Sequence, residues 1–110
     1  MKQYEIRWAE LPQPIGRRPV LLLSRDAAYE YLTKAIVAEI TTRIRRIPQE
    51  VHLGPREGLP RPCVANLDNL HTVEVRELAE RLGALARRRI PEVKRALGFT
   101  LGWPELTLSD

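Results

Sequence analysis

The chain has 110 residues, and its 18 lysines and arginines exceed its 14 aspartates and glutamates, which gives a formal net charge of +4. A chain of this length forms one domain that buries roughly two thirds of its unfolded surface, so it needs no disulfide or metal for stability. The single cysteine, Cys63, excludes an internal disulfide framework, and with two histidines it supplies too few ligands for a closed zinc site. Because no apolar run approaches the roughly 18 residues of a membrane span and residues 1–8 lack the apolar region of a signal peptide, we expect a cytoplasmic protein.

Arginine dominates the basic residues, since only Lys2, Lys34 and Lys94 are lysines. Arginine makes bidentate contacts with phosphate, and an isoelectric point near 9.7 favours a polyanionic partner. An arginine-rich genome composition is the alternative explanation. Aromatic residues make up only 5% of the chain, which disfavours the stacking platforms of RNA-recognition sheets and oligonucleotide-binding barrels.

The first half of the chain predicts strands. Residues 4–11 alternate in part and predict a half-buried strand, and residues 15–18 predict a short basic turn. Pro19 then opens an apolar run that predicts a central strand, with the proline at its first residue where no ladder donor is required. Residues 26–33 predict a polar connection with room for one helical turn. Residues 35–44 predict a long strand, with a helix as the alternative.

The second half predicts shorter elements. Residues 48–53, 63–70 and 81–85 have the content of strands, a loop rich in glycine and proline covers residues 54–62, and residues 73–78 allow one helical turn. The nine prolines, spread over the whole chain, argue against a helical bundle.

A helix is predicted near the C-terminus. Pro91 suits its first turn, and the helix is expected to end at Gly98. Ile90, Val93, Ala96 and Leu97 lie on one face at helical spacing. We therefore predict a mainly β (α+β) fold, a small antiparallel barrel capped by a C-terminal α-helix.

Arg18 is the strongest candidate for phosphate contact. The residue before a proline is restricted to extended geometry, so Pro19 pre-sets the Arg18 backbone at the start of an apolar strand. An arginine held in this way loses little further entropy when it meets phosphate. Arg17 points to the opposite face because neighbours in a strand alternate. A solvated charge or surface ion pair is the alternative role for Arg18.

Polar side chains in two later segments are further candidates. Thr41 and Thr42 face opposite sides of their strand, so one hydroxyl faces the crowded side, although threonine is common in strands as a β-former. His71 belongs to a cluster of hydrogen-bonding residues over 66–72, which alternatively forms a turn. Glu39 interrupts an apolar run, so it is either on the solvent face or a buried functional acid, and we expect it to face solvent.

No phosphate-binding glycine loop, serine nucleophile elbow, zinc helix or paired-carboxylate motif is present in the sequence. Several segments nevertheless follow one another in a recognisable order: residues 5–12, 16–26, 35–41 and 63–73, the last followed by 81–85. Each segment alone is a weak indication of any one protein family, whereas all of them together, in this order and at this spacing, are a more specific one. Over about residues 3–101 the chain resembles the MazF/PemK family of toxin endoribonucleases.

The resemblance implies an SH3-like β-barrel of the MazF/PemK/CcdB type, with a toxin domain over residues 1–101 and a C-terminal tail over residues 102–110. It also implies a homodimer that cleaves single-stranded RNA without metal or other cofactor and is inhibited by a cognate MazE-like antitoxin. The family's catalytic arginine and threonine correspond to Arg18 and Thr41. RNA contacts are assigned to these residues: Arg17, Thr42, Arg43, Asn66 and His71.

Cleavage in that family would proceed by attack of the ribose 2′-OH on the adjacent phosphorus, which leaves a 2′,3′-cyclic phosphate and a 5′-OH. We expect Arg18 to stabilise charge on the phosphoryl oxygens and Thr41 to orient the phosphate. A guanidinium is a poor base, so the base stays open, with His71 or the substrate's own groups as candidates.

The chain departs from the family pattern in two places. The loop over residues 12–17 is shorter than in many members, where a longer loop covers the groove, and Tyr4 stands where many members carry glycine. The preferred RNA sequence and RNA class therefore do not carry over. Two other functions stay open, a related toxin that poisons DNA gyrase without cleavage and a plain SH3-like binding module. Arg18 and Thr41 favour the nuclease, because a pure binding toxin does not need that pair.

Overall fold

A computed structural model describes residues 1–107 of the chain. Short connections join its strands, and the longest helix follows the last strand. Three connections contain a brief 3₁₀ turn, at Pro55–Glu57, Val75–Glu77 and Arg87–Arg89. The elements are β1 (Glu5–Leu11), β2 (Gly16–Leu22), α1 (Asp26–Tyr31), β3 (Lys34–Thr41), β4 (Glu50–Leu53), β5 (Cys63–Glu74), β6 (Leu78–Ala84), α2 (Ile90–Leu101) and α3 (Pro104–Thr107).

Across residues 1–107 the strands form one antiparallel sheet of six, in the order β4-β5-β3-β2-β1-β6. Strands β3 and β2 lie at its centre, and β4 and β6 form its edges. The sheet curls into half of a barrel, with α2 against β4 and β5. The prediction of a small, mainly antiparallel β-barrel with a C-terminal helix is confirmed.

One face of the sheet forms a core with the C-terminal helix. Ile6, Leu21 and Ile40 come from three strands and belong to the same buried cluster as Val93 and Ala96 of α2. Successive strand residues point to opposite faces, so each strand gives only every second side chain to this core. Of the predicted apolar face of the helix, Val93, Ala96 and Leu97 are confirmed in this core.

The other face of the sheet forms a second core. Val20, Leu22 and Val37 cluster there with Tyr29 of α1 and Val73 of β5. Because both faces are covered, β2 and β3 have nearly continuous apolar runs.

Two glycines allow the segment after β4 to pack directly against the edge strand β6. A Cβ atom on Gly58 would overlap the Leu82 carbonyl oxygen, and one on Gly83 would overlap the Glu57 carbonyl oxygen. Gly58 also has a φ of +90°, which glycine adopts readily. The chain after β4 therefore lies directly on the backbone of β6.

The turn between the first two strands lies earlier than expected. The basic turn predicted over residues 15–18 is wrong, because the turn covers residues 12–15 and β2 begins immediately after it at Gly16. Arg17 and Arg18 therefore belong to β2, where they pair with β1.

The ends of two other strands also differ from the prediction. Strand β3 ends at Thr41 and does not continue to residue 44. Strand β5 continues beyond Leu70 to Glu74, and its pairing with β3 shifts register between Ala38 and Glu39. This bulge lets one long strand pair with β3 along its whole length.

The helix α2 passes Gly98 and ends before Gly102, which has a φ of +69° and serves as its left-handed C-terminal cap. Gly98 instead permits close packing, since a Cβ there would lie 2.7 Å from the Leu106 Cβ atom of α3. The tail predicted over residues 102–110 is thus helical over Pro104–Thr107, while residues 108–110 lie outside the described residues.

No helix within residues 1–107 is long and apolar enough to cross a membrane.

Candidate active site

A cleft of about 340 Å³ opens where β2 begins and β3 ends. Arg18 and Thr41 both line it, so the two candidate catalytic residues share one cleft. The remaining walls are mostly apolar and come from β1, β2, β6, the end of β3 with the residue after it, and the start of β5 with the loop before it. Their residues are Trp8, Pro19, Ile40, Thr42, Leu59, Pro60, Arg61, Cys63 and Leu82.

Strand register explains why Arg18 and Thr41 meet. In the antiparallel ladder between β2 and β3, Val20 pairs with Glu39, Leu21 with Ala38 and Leu22 with Val37. Arg18 and Thr41 each lie two residues beyond the Val20–Glu39 pair, so alternation puts both on the same face of the sheet as that pair. The pairing of β2 with β3 therefore brings together two residues that are distant in the sequence.

Pro19 ends the ladder between β2 and β3. Pairing with β3 is present from Val20 onward, whereas Pro19 still pairs with Trp8 of β1 on its other side. A proline lacks the N–H that a further ladder bond would require. The cleft opens where this ladder stops, and Arg18 lies at its edge.

The Arg18 side chain is 40% exposed, and its guanidinium forms an ion pair with an acidic residue of the sheet. Its Nη1 atom lies 3.8 Å from Glu39 Oε1, which is an ion pair without a hydrogen bond. Within residues 1–107 no hydrogen bond from the Arg18 guanidinium is present. Its donors are therefore available to an anion in the cleft.

The Thr41 hydroxyl is oriented by the chain that leaves β3. The Arg43 backbone N–H donates to Thr41 Oγ1 over 3.2 Å. Since a hydroxyl can accept and donate at once, Thr41 keeps its own proton for a second partner in the cleft. Thr42 lines the same cleft from just beyond the strand.

Glu39 does not face solvent, and the expectation that it would is wrong. Its side chain is only 12% exposed, and Oε2 lies 3.2 Å from His71 Nε2 on the neighbouring β5. Strands β2 and β5 flank β3 on both sides, so a polar residue in this central strand has little access to water. The apolar neighbours along the chain indicated burial more reliably than the charge indicated exposure.

Two of the predicted RNA-contact residues do not line the cleft. Asn66 is 4% exposed, lies opposite Glu39 on β5 and accepts a hydrogen bond from the Asp68 N–H over 2.9 Å. His71 pairs with Val37 and contacts Glu39, so its ring also faces the sheet.

Arg17 lies beside the cleft. Its guanidinium stacks 4.8 Å from the Trp8 ring centre and pairs with Glu80 over 3.0 Å. Trp8 lines the cleft, so Arg17 extends the positive charge around its rim. Arg43 is exposed just after Thr42.

Trp8 and Arg61 line the cleft and were not among the sequence-based candidates. The Trp8 position follows from its pairing with Pro19, which only the strand register reveals. Arg61 stands between Pro60 and Pro62, and an arginine fixed between two prolines resembles the Arg18–Pro19 signal already used.

Cys63 forms an uncharged part of the cleft wall. Burial raises the pKa of its thiol, and the Glu57 carboxylate raises it further. The thiol therefore stays protonated near neutral pH and is a poor nucleophile. No cluster of histidine, cysteine and acidic residues suited to a metal ion occurs in the described part of the chain.

The curled antiparallel sheet, with Arg18 and Arg61 in the cleft at one end of it, defines a small SH3-like β-barrel protein. Residues 2–101 match the family of PemK-like, MazF-like toxins of type II toxin–antitoxin systems. The chain belongs to this family.

Two similar proteins come from Mycobacterium tuberculosis. The probable endoribonuclease MazF5 is 46% identical over 94 residues, which cover 84% of this chain and 85% of that protein. Endoribonuclease MazF3 is 38% identical over 88 residues, covering 78% and 85% of the two chains.

Solved structures with the same fold include the toxin MazF-mt6 from Mycobacterium tuberculosis. It has a TM-score of 0.84 and 34% identity, covering 89% of this chain and 96% of that one. A mycobacterial endoribonuclease in complex with its cognate antitoxin has a TM-score of 0.81 and 27% identity, covering 94% and 97%.

Proposed function

We propose that this protein is an endoribonuclease toxin that cleaves single-stranded RNA in the cleft between β2 and β3. The observation that carries the proposal is that Arg18 and Thr41 line the same cleft, with unpaired guanidinium donors beside a hydroxyl. The similarity to proteins named endoribonuclease supports it.

The proposed reaction is an in-line attack of the ribose 2′-OH on the adjacent phosphorus. A bond forms between O2′ and phosphorus, the bond from phosphorus to O5′ breaks, and the products carry a 2′,3′-cyclic phosphate and a 5′-OH. Arg18 stabilises the charge that develops on the non-bridging oxygens, and the Thr41 hydroxyl donates to the same phosphate.

No carboxylate or imidazole from residues 1–107 lines the cleft. Arg18 is a poor base because its guanidinium holds its proton tightly. Of the two candidates for the base, His71 bonds Glu39 outside the cleft. The proposal therefore routes the 2′-OH proton through the phosphate oxygens of the RNA to the leaving 5′-oxygen, and no metal takes part.

RNA binding is assigned to the arginines at the cleft and its rim. The phosphates on either side of the scissile linkage are contacted by Arg17, Arg43 and Arg61. The RNA backbone inside the cleft is contacted by Thr42. Asn66 and His71 are left out of this set because neither lines the cleft. Phosphate contacts made by arginine weaken with salt, so binding is expected to fall steeply as ionic strength rises.

The proposed partners are a second copy of the chain and a MazE-like antitoxin that covers the cationic cleft. A similar endoribonuclease was solved with its cognate antitoxin, and MazE and MazF of Deinococcus radiodurans were solved together. The homodimer is proposed to use residues 70–73 and α2, where Phe99 and Leu101 are exposed. A cytoplasmic location completes the proposal, and sedimentation of a micromolar sample tests the dimer.

The test incubates the purified protein with a long single-stranded RNA in EDTA. Discrete fragments that end in a 2′,3′-cyclic phosphate support the proposal, and Arg18→Ala is expected to slow their formation about 10²- to 10³-fold. Arg87→Ala removes the same charge at an exposed position outside the cleft and serves as control. Intact RNA with inhibited gyrase would favour the gyrase-poisoning alternative, and neither effect would favour a plain binding module.

A further inference from the structure

A row of three polar side chains runs from the cleft into the sheet. Arg18 stands at the cleft, Glu39 lies 3.8 Å behind it, and His71 lies 3.2 Å beyond Glu39. Exposure decreases inward from 40% for Arg18 to 12% for Glu39, while His71 is 20% exposed. Only the first of these residues lines the cleft.

Three neighbouring strands place these residues on one face. Val20 pairs with Glu39 across β2 and β3, so Arg18 is the diagonal neighbour of Glu39. Val37 pairs with His71 across β3 and β5, which makes His71 the diagonal neighbour on the other side. Diagonal neighbours in a sheet are within reach of long side chains.

A carboxylate in the centre of an apolar strand is unfavourable for stability. Burying an acid costs free energy unless it is paired, and replacing a buried ion pair with apolar residues is often neutral or stabilising. All the other residues from Ala35 to Ile40 are apolar. The acid is therefore better explained by what it does to its cationic neighbour than by stability.

The geometry of the pair suits positioning rather than neutralisation. At 3.8 Å the carboxylate attracts the guanidinium without occupying its N–H donors. His71 contacts the other carboxylate oxygen and so restricts how far Glu39 can turn toward Arg18. Arg18 is thereby held from behind while its donors face the cleft.

We propose that Glu39 is the positioning residue for Arg18, with its carboxylate anchored by His71. This inference rests on the nuclease function proposed above. Glu39 does not touch the RNA; it orders the guanidinium that does. It also offsets part of the positive charge at the cleft, so it raises the rate of the chemical step at some expense of RNA affinity.

The proposal predicts that loss of the Glu39 charge lowers kcat without raising KM. Glu39→Gln keeps the size of the side chain and removes its charge, and it is expected to lower kcat about 10- to 100-fold because the guanidinium loses its orientation. KM stays at or below the parent value, since the positive charge of Arg18 is no longer offset. Glu39→Asp keeps the charge and recovers part of the rate.

Glu5→Gln is the matched control. Glu5 is also a part-buried carboxylate of the sheet, 14% exposed, with Arg7 at 2.9 Å and Arg81 at 3.5 Å. Its removal is expected to leave kcat and KM of the folded protein unchanged. A general loss of sheet stability would affect both variants alike, which thermal unfolding of each variant measures.

A double-mutant cycle tests whether Glu39 acts through Arg18. In an Arg18→Ala background, measured with enzyme in excess and long incubation, Glu39→Gln is expected to change the residual rate less than about twofold. An equal loss in both backgrounds would overturn the proposal. So would a parent-like kcat for Glu39→Gln, or a rate for Glu39→Asp no higher than that for Glu39→Gln.

A second measurement separates this inference from the proposed function. The ¹⁵N relaxation of the Arg18 Nε–H reports the order of the side chain without RNA, and Glu39→Gln is expected to lower its order parameter while Glu5→Gln leaves it unchanged. If the parent protein cleaves no RNA, the nuclease proposal fails, and the order parameter still decides whether Glu39 positions Arg18. An unchanged order parameter in Glu39→Gln would overturn the positioning role.

Discussion

Gly58 and Gly83 lie in backbone contact where the chain after β4 meets β6, and neither position has room for a Cβ atom. Leu82, the neighbour of Gly83, and Leu59, the neighbour of Gly58, both line the cleft. Closure of the curled sheet and the shape of the site therefore depend on the same contact.

Gly83→Ala is expected to destabilise the fold by about 1–3 kcal/mol, because the added methyl group overlaps the rigid Glu57 carbonyl. Urea unfolding measures the loss. Gly54→Ala is the matched control, since its Cβ would lie at an ordinary 4.0 Å from the Pro62 Cα atom. Equal stability of the Gly83→Ala variant and the parent would show that the two segments do not touch in solution.

Thr41→Val removes the hydroxyl from the cleft and keeps the size of the side chain. If this hydroxyl donates to the scissile phosphate, the cleavage rate falls about 10²- to 10³-fold. Thr41→Ser retains the hydroxyl and is expected to keep most of the rate. Thr33→Val, an exposed position before β3, serves as control. A folded Thr41→Val variant that cleaves RNA at the parent rate would remove Thr41 from the mechanism.

Arg89 joins the start of α2 to the sheet, and Arg89→Ala is expected to cost about 3–5 kcal/mol. Its guanidinium donates to the Glu92 carboxylate, to Glu57 over 3.3 Å and to the His52 carbonyl oxygen over 2.6 Å. Without it the Glu57 charge is left buried, although the Gly54 N–H still donates to it. Chemical denaturation measures the loss, and the exposed Arg88→Ala is the comparison. Similar midpoints for both variants would contradict this anchoring role.

The ion pair between Arg89 and Glu92 also makes the stability of the fold depend on pH. The hydrogen bond from Arg89 holds the pKa of Glu92 below its ordinary value of 4.5, and this effect outweighs the opposing effect of burial. A carboxyl whose pKa is lower in the folded state contributes stability above its unfolded pKa and loses it as the pH falls through the folded value.

We therefore expect the Tm of Glu92→Gln to lie below that of the parent near neutral pH. The difference in Tm is expected to shrink as the pH falls toward about 3. Thermal unfolding in a series of buffers between about pH 6 and about pH 3 makes the comparison. Glu30→Gln on the exposed side of α1 is the control. A constant difference in Tm across the whole series would show that the Glu92 charge is not what stabilises the folded state.

Tyr4 has a backbone conformation that is uncommon for a residue with a side chain. Its φ is +70°, in the left-handed region where glycine is favoured. The ring packs against the core, and the Tyr4 N–H donates to the Leu22 carbonyl oxygen over 2.8 Å. These contacts hold a residue with a side chain in a conformation that costs it about 1–2 kcal/mol.

Much of the architecture could be predicted from short-range patterns. The partial alternation in β1, the apolar runs of β2 and β3 and the apolar face of α2 follow from local side-chain periodicity, which is why the predicted barrel and helix are confirmed. The position of Arg18 before Pro19 was also a local signal. The ends of the elements were less predictable. The helix α2, for example, continues past Gly98, because this glycine makes room for α3 and does not end the helix.

The sequence by itself predicted the strand-rich fold and singled out Arg18, because backbone restriction and side-chain alternation act between near neighbours in the chain. The choice of Thr41 over Thr42 came from the resemblance to the family. Tertiary structure alone decided that Glu39 is buried between Arg18 and His71, that Asn66 does not line the cleft and that Arg61 does. These placements depend on register between strands that are distant in sequence. A register shift of one residue would move every side chain of a strand to the other face.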